Sequence, residues 1–130
     1  MYLRFVCGAR HPHAAAELGI YQARMLVDWT QHPDWMKREF DRAFEWCRCL
    51  AVPKIYTGKR RHRHAARTLC WLKPEADWVI GEFRYSAWLM TEAGLPVREV
   101  RTRRPGVILW EDDDQIVSLP GDAKVPKAFA

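Results

Sequence analysis

Apolar and polar residues change period several times along this chain, and each change marks an element. Tyr2–Cys7 alternates and is rich in β-prone residues, which predicts a strand ended by Gly8 and Pro12. From Ala14 to Thr30, Leu18, Tyr21, Met25 and Trp29 form one stripe at helical spacing, with Glu17, Arg24 and Asp28 off it. That stripe predicts an amphipathic helix, weakened at Gly19. His32-Pro33-Asp34 restarts the chain, since proline suits a first helical position and an acid suits a first turn. The helix that follows runs to Leu50, with Met36, Phe40, Ala43, Cys47 and Leu50 on one face. Charged residues lie opposite, and Glu39–Arg42 and Glu45–Arg48 stand at pairing distance. Val52 precedes Pro53 and leaves the helical region of backbone space.

No apolar period crosses residues 54–67, so that segment reads as an exposed loop, longer than ordinary connections. Thr68–Leu72 is a short apolar strand. Pro74, Glu75 and Asp77 open a third helix, with Ile80, Phe83, Ala87 and Met90 as its stripe, and Gly94 then Pro96 as its stop. Val97–Arg103, Val107–Trp110 and Gln115–Leu119 read as three more strands. Arg104-Pro105-Gly106-Val107 fits a type II turn between the first two of these. The acids of Glu111–Asp114 form the next turn, and residues 121–130 form a C-terminal arm, docked or frayed.

The predicted order is β-α-α-β-α-β-β-β, a single α+β domain over residues 1–130 without repeat or linker. Its economical form is a mixed four- or five-stranded sheet with three helices mainly on one face. The β-α-β portion is expected to cross over right-handedly, and the last three strands to form an antiparallel meander.

Composition changes this picture in one place. The chain carries a net charge of +5, and Lys54–Arg67, KIYTGKRRHRHAAR, contributes six cations and no carboxylate. The rest of the chain is therefore close to neutral. A basic patch on a near-neutral body attracts polyanions over roughly 8–10 Å in ordinary salt. The charged fraction of 28% and hydrophobic fraction of 48% are those of a folded globular protein and exclude a disordered one. No apolar run spans a membrane, and the start lacks a secretion signal. The expected location is therefore the cytoplasm, with Cys7, Cys47, Cys49 and Cys70 reduced. Seven tryptophans are abundant for this length, and most are expected in the core.

The two ends, MYLRFV and RTRRPGVILWEDDDQIVSLP, together resemble a family of short uncharacterised bacterial proteins. In that family an aromatic-rich helix precedes a loop, and a Trp-containing strand precedes the third helix. EWCRCLAVP and CWLKPEA stand in those places here, although the cysteine pair of EWCRC departs from an expected aromatic. The resemblance implies a small bacterial or phage-borne protein, no established activity and no site residues.

The residues point to binding rather than catalysis. Lys59, Arg60, Arg61, His62, Arg63, His64 and Arg67 supply phosphate contacts, and Arg101, Arg103 and Arg104, beside Arg98, form a second cluster. Tyr56 adds a stacking ring if it is exposed. The expected partner is nucleic acid or another phosphate-bearing ligand. The alternatives are an acidic protein surface, bound by an inhibitor-like or antitoxin-like protein, and a phosphorylated substrate turned over with a metal. For that metal, Glu111 and Asp112 are weak candidates, lacking the spacing of a calcium loop. Cys7, His11 and His13, Cys47 with Cys49, and His62 with His64 lack zinc-site spacing. Ser86 and Ser118 have no nucleophile-elbow glycines, and no phosphate-binding glycine loop is present. Cys7 and Cys70 read as buried structural thiols. No cofactor is expected.

Overall fold

The computed structural model describes residues 1–13 and 16–120, the side chains of Trp46 and Arg60 excepted; the C-terminal arm, 121–130, lies outside them. The domain is α+β. Its strands are β1 (Tyr2–Arg10), β2 (Glu17–Gly19), β3 (Leu69–Leu72), β4 (Arg98–Thr102), β5 (Val107–Glu111) and β6 (Gln115–Leu119); its helices are α1 (Ile20–Ala23), α2 (Asp34–Cys47) and α3 (Asp77–Glu92).

The sheet has six strands and is antiparallel throughout, where a mixed sheet of four or five was expected. The reason is β1. Leu3 to Cys7 are all buried, so this strand takes the centre and accepts neighbours on both edges. Val6 lies opposite both Gly19 and Arg98, and Leu3 opposite both Leu72 and Arg101. β2 and β3 therefore share one edge of β1, and β4 takes the other. β3 and β4 run parallel to each other around α3, as the β-α-β reading requires, but β1 stands between them. The expected meander of the last three strands reduces to the β5–β6 hairpin, because β4 leaves to pair with β1.

Only residues 103–106 join β4 to β5, although β1, β3 and β6 lie between those strands. Four interstrand steps in a flat sheet span ~19 Å, and five Cα steps reach at most ~18 Å. The sheet must curl. Its concave face holds a small cluster of Leu69, Trp71 and Ile116, joined by Tyr2, Ala16 and Val100. Ser118 Oγ donates to the Pro105 carbonyl at 2.7 Å across that face. The Arg4 guanidinium lies 5.5 Å over the Trp71 ring and donates to the Glu17 carbonyl at 3.0 Å. Burial pushes Arg4 down to about 10, still charged at neutral pH.

The convex face carries the helices. Leu3, Phe5 and Cys7 of β1 pack against Phe40, Phe44 and Cys47 of α2 and against Val79, Ile80, Phe83, Ala87 and Met90 of α3. Rings organise this core: Phe5 stacks on Phe83 at 5.6 Å and Phe40 on Phe44 at 5.1 Å. α3 ends as its glycine predicts. Gly94 takes a φ of 97°, Gly94 N–H donates to the Thr91 carbonyl, and Leu95 N–H donates to that of Met90.

The expected helix over 14–30 is the largest departure. Its first two residues lie outside the described ones. Glu17–Gly19 pairs with β1 instead, only four residues are helical, and 3₁₀ turns follow at Arg24–Leu26 and Trp29–Gln31. The open edge of β1 beyond Val6 outbids local periodicity, because its backbone groups need partners. The stripe splits accordingly: Leu18 and Trp29 pack against the core beside buried Ile20 and Ala23, while Tyr21 is 63% and Met25 73% exposed. The tryptophans also depart from expectation. Trp71 is fully buried, but Trp35, Trp78 and Trp88 are exposed.

Candidate anion-binding surface

Residues 54–67 are an ordered structure rather than an open loop. Three 3₁₀ turns follow one another, Lys54–Tyr56, Gly58–Arg60 and Ala65–Arg67. Backbone bonds tie them together: His62 N–H donates to the Ile55 carbonyl at 2.8 Å, Ala65 N–H to that of His62 at 3.0 Å, and Arg67 N–H to that of His64 at 2.9 Å. Two anchors fix the segment to the convex face. Ala65 is buried, and Thr68 Oγ1 donates to its carbonyl at 2.7 Å. The Tyr56 hydroxyl lies 2.7 Å from Thr68 Oγ1 and 3.2 Å from Cys70 Sγ. Burial, then the neighbouring Cys70, pushes the Tyr56 phenol up, so it stays protonated. Tyr56 is thus half-buried and held by its hydroxyl, not the free stacking ring entertained from the sequence.

The cations point outward from this frame. Lys59, Arg61, Arg63 and Arg67 are exposed, and among the described residues no ion pair joins any of them to a carboxylate. Arg61 Nη1 donates to the Tyr56 carbonyl at 3.1 Å, which orients the side chain without neutralising it. His62 and His64 are half-buried, with ring centroids 5.6 Å apart. His64 N–H donates to His62 Nδ1 at 3.1 Å, leaving Nε2 of a neutral His62 to carry its proton outward. Lost hydration, then the guanidinium groups of Arg63 and Arg67, hold His64 below its ordinary 6.5. At neutral pH His64 is therefore uncharged.

The second predicted cluster divides. Arg98 pairs with Glu17 at 2.8 Å, and Arg101 at 2.7 Å shares Glu99 with Arg84, so both are engaged with carboxylates. Arg103 and Arg104 are exposed, without an ion pair among the described residues. The acidic turn at the other end of β5 is occupied by its own structure. Glu111 pairs with Lys73 at 2.6 Å, Asp112 Oδ1 accepts the N–H groups of Asp114 and Gln115, and Asp114 accepts the Trp78 indole N–H at 3.0 Å. Among the described residues, no three His, Cys, Asp or Glu side chains gather as around a metal ion.

The remaining nucleophile candidates sort by burial. Cys7 is buried as expected, whereas Cys70 is exposed, its thiol against the Tyr56 hydroxyl. Cys47 is buried, and burial pushes its thiol up to about 12. Ser86 is fully buried and Ser118 is engaged with Pro105. The Thr68 and Ala65 anchors, and the Arg4–Trp71 stack, were not legible in the sequence; each joins residues that only the fold brings together.

No helix among the described residues is long and apolar enough to cross a membrane. No family model, no curated protein and no solved structure matches this chain, so the resemblance to short bacterial proteins brings no residue role to this surface.

Proposed function

We propose that this chain is a binding protein of the cytoplasm that docks a phosphate-rich partner, nucleic acid or another polyanion, through Lys59–Arg67. The observation that carries the reading is that exposed cations on an ordered frame have no carboxylate partner among the described residues. A surface built for solubility intersperses signs, as α2 does with Lys37–Asp41, Glu39–Arg42 and Glu45–Arg48. Here one sign is concentrated and left free. The docking is electrostatic and carries no base reading of its own.

The test is fluorescence anisotropy with a labelled polyanion across a salt series. Affinity falls steeply as salt rises, because each neutralised phosphate releases a counterion. Replacing Arg61, Arg63 and Arg67 with Ser reduces binding at least tenfold and leaves the melting temperature nearly unchanged, since these side chains add little to the core. Affinity that does not change between low and high salt rejects the proposal. Purification with a bound protein and no nucleic acid, which the exposed Trp35 and Trp88 would then help to explain, favours an acidic protein partner instead.

A second expectation concerns pH. A bound phosphate favours the imidazolium form, so binding raises the pKa of His64 above that of the free protein. Affinity therefore rises as pH falls through the window below 6.5. Going from about pH 7.5 to about pH 5.5 is expected to tighten binding several-fold at fixed salt. His64→Gln flattens that profile and leaves affinity at the upper pH unchanged. A wild-type profile that is already flat excludes His64 from the contact.

A further inference from the structure

We infer that the outer face of α3 is a self-association surface, on which a second copy of this chain packs antiparallel across a two-fold axis at Phe83. One face of α3 is committed to the core, with Val79, Ile80, Phe83, Ala87 and Met90 buried. The opposite face carries Trp78, Gly81, Tyr85 and Trp88 as one stripe at helical spacing. Trp78 is 42% and Trp88 49% exposed, Gly81 is exposed and Tyr85 is half-buried. The rings are held in place by their own chain. Tyr85 and Trp88 stack at 5.9 Å, the Arg42 guanidinium lies 5.6 Å from the Tyr85 ring centre, and the Trp78 indole N–H donates to Asp114. Preorganised Trp, Tyr and Arg are the residue types that carry most of the energy at protein interfaces.

Gly81 points to what arrives there. Glycine is the poorest helix former after proline, yet this one stands inside α3. Nothing within the described chain requires it. Its φ is not positive, and a Cβ built on it meets nothing within 4 Å. A missing side chain on an exposed helix face is a notch, open to a group that comes from outside. Residue order says which group. In an antiparallel pair with its axis at position 83, position 78 faces 88 and position 81 faces 85. Each Trp78 then meets Trp88 of the other copy, and each Tyr85 ring seats in the notch at Gly81 of the other copy. Large meets small, and the contact repeats on both sides of the axis, as an isologous interface requires. A parallel pair would set Tyr85 on Tyr85 and leave both notches empty.

The charges agree with the same axis. Glu82 and Arg42 line the α2 side of the stripe, and a two-fold axis sets each flank against the same flank of the other copy. Arg42 Nε pairs with Glu39 at 2.6 Å, while its Nη1 stays 3.8 Å from Glu82 Oε2. That oxygen is buried and has no hydrogen-bond partner among the described residues. Arg42 of the second copy brings it a donor. Area sets the strength. The 16 residues of α3 span ~24 Å, and a helix ~10 Å across covers roughly 240 Å² in projection. A standard interface buries ~800 Å² per partner. The dimer is therefore weak, of about micromolar class, and forms as the chain is concentrated.

The experiment is sedimentation velocity on the full, nuclease-treated chain from about 1 µM to about 1 mM. Mass is expected to climb from one chain to two and to stop there. Gly81→Gln is expected to weaken the dimer at least tenfold while its urea midpoint holds or rises. Glutamine favours helix over glycine, and its Cβ meets nothing in its own chain. A merely structural role for Gly81 does not predict a variant that is as stable and less associated. Arg42→Glu and Glu82→Arg, each checked for native far-UV circular dichroism, are each expected to weaken the dimer at least tenfold alone. Their equimolar mixture is expected to dimerise, since only the mixed pair sets opposite signs across the axis. A chain that stays single at every concentration overturns the proposal. A dimer that Gly81→Gln leaves unchanged overturns the choice of surface. A mixture that does not recover the dimer overturns the antiparallel axis, and growth past two copies overturns the closed pair. Polyanion docking is read with a different probe, so its failure and the failure of this surface are separate results.

Discussion

Gly106→Ala is expected to destabilise the domain by about 3 kcal/mol or more, whereas Gly58→Ala costs about 1 kcal/mol. Both glycines take a positive φ, 100° at Gly106 and 61° at Gly58, so both substitutions impose the strain of left-handed backbone. Their surroundings differ. A Cβ at Gly106 meets the Leu119 carbonyl oxygen and, at 2.9 Å, the Pro120 Cα, while a Cβ at Gly58 meets nothing within 4 Å. The obstacle at Gly106 is backbone and cannot rotate away. Relief requires the start of β5 to lift from the end of β6, which breaks the Val107–Leu119 register and frees Pro105 from Ser118. The four-residue bridge that forces the sheet to curl depends on that closure. Urea unfolding measures the difference as a large shift in midpoint for Gly106→Ala at a nearly constant slope. Equal small shifts for the two variants would show that the 103–106 bridge does not close the sheet in this way.

The sequence makes the elements legible where local and tertiary demands agree. α2 and α3 combine a helical stripe, an acid in the first turn and, for α3, a glycine stop. Met36, Phe40, Ala43 and Cys47, then Ile80, Phe83, Ala87 and Met90, are all buried as their spacing requires. Gly106 carries the positive φ that a Pro-Gly turn demands. What the sequence hides is competition for the edges of β1. Glu17–Gly19 has no strand-like pattern and becomes a strand because an apolar nine-residue neighbour offers unpaired backbone there. The same strand separates β3 from β4 and turns an expected parallel pair into an antiparallel sheet. Strand order is a property of which edges remain open after the core has formed, and no local period encodes it.

The candidate surface shows the same division. Charge concentration in residues 59–67 is visible in the sequence and survives in the fold as exposed Lys59, Arg61, Arg63 and Arg67, without an ion pair among the described residues. Which arginines of the second cluster remain free was not visible. Glu17 lies 81 positions from Arg98, and its pairing follows from β2 and β4 flanking β1. Arg101 is paired with Glu99, two residues away on the same strand, which a strand reading does permit. The order of the 54–67 segment was hidden too, because its anchors are a tyrosine hydroxyl, a threonine hydroxyl and one buried alanine, residue types with no period to announce them.

Trp71→Ala is expected to cost ~3–5 kcal/mol, a large part of the ~5–15 kcal/mol that holds a domain of this kind together. Trp71 is 1% exposed and fills the concave side of the curl between Leu69, Ile116 and the Arg4 guanidinium. Two losses add. Removing the indole leaves a cavity in a cluster of only three fully buried apolar side chains, too few to collapse around it. It also strips the ring from a buried cation, a contact worth ~1–2 kcal/mol when desolvated. Trp71→Phe separates shape from polarity. Its ring still lies under Arg4, and the atom lost is an indole N–H without a hydrogen-bond partner among the described residues. Removing an unsatisfied donor offsets part of the lost volume, so the Phe variant is expected to cost only ~1–2 kcal/mol. In an Arg4→Met background the Trp71→Ala penalty shrinks by the cation–ring contribution, a coupling that a double-mutant cycle in urea reads directly. Equal penalties for Ala and Phe would mean that the ring does not support the curl. A coupling of zero would mean that Arg4 is held by the Glu17 carbonyl alone.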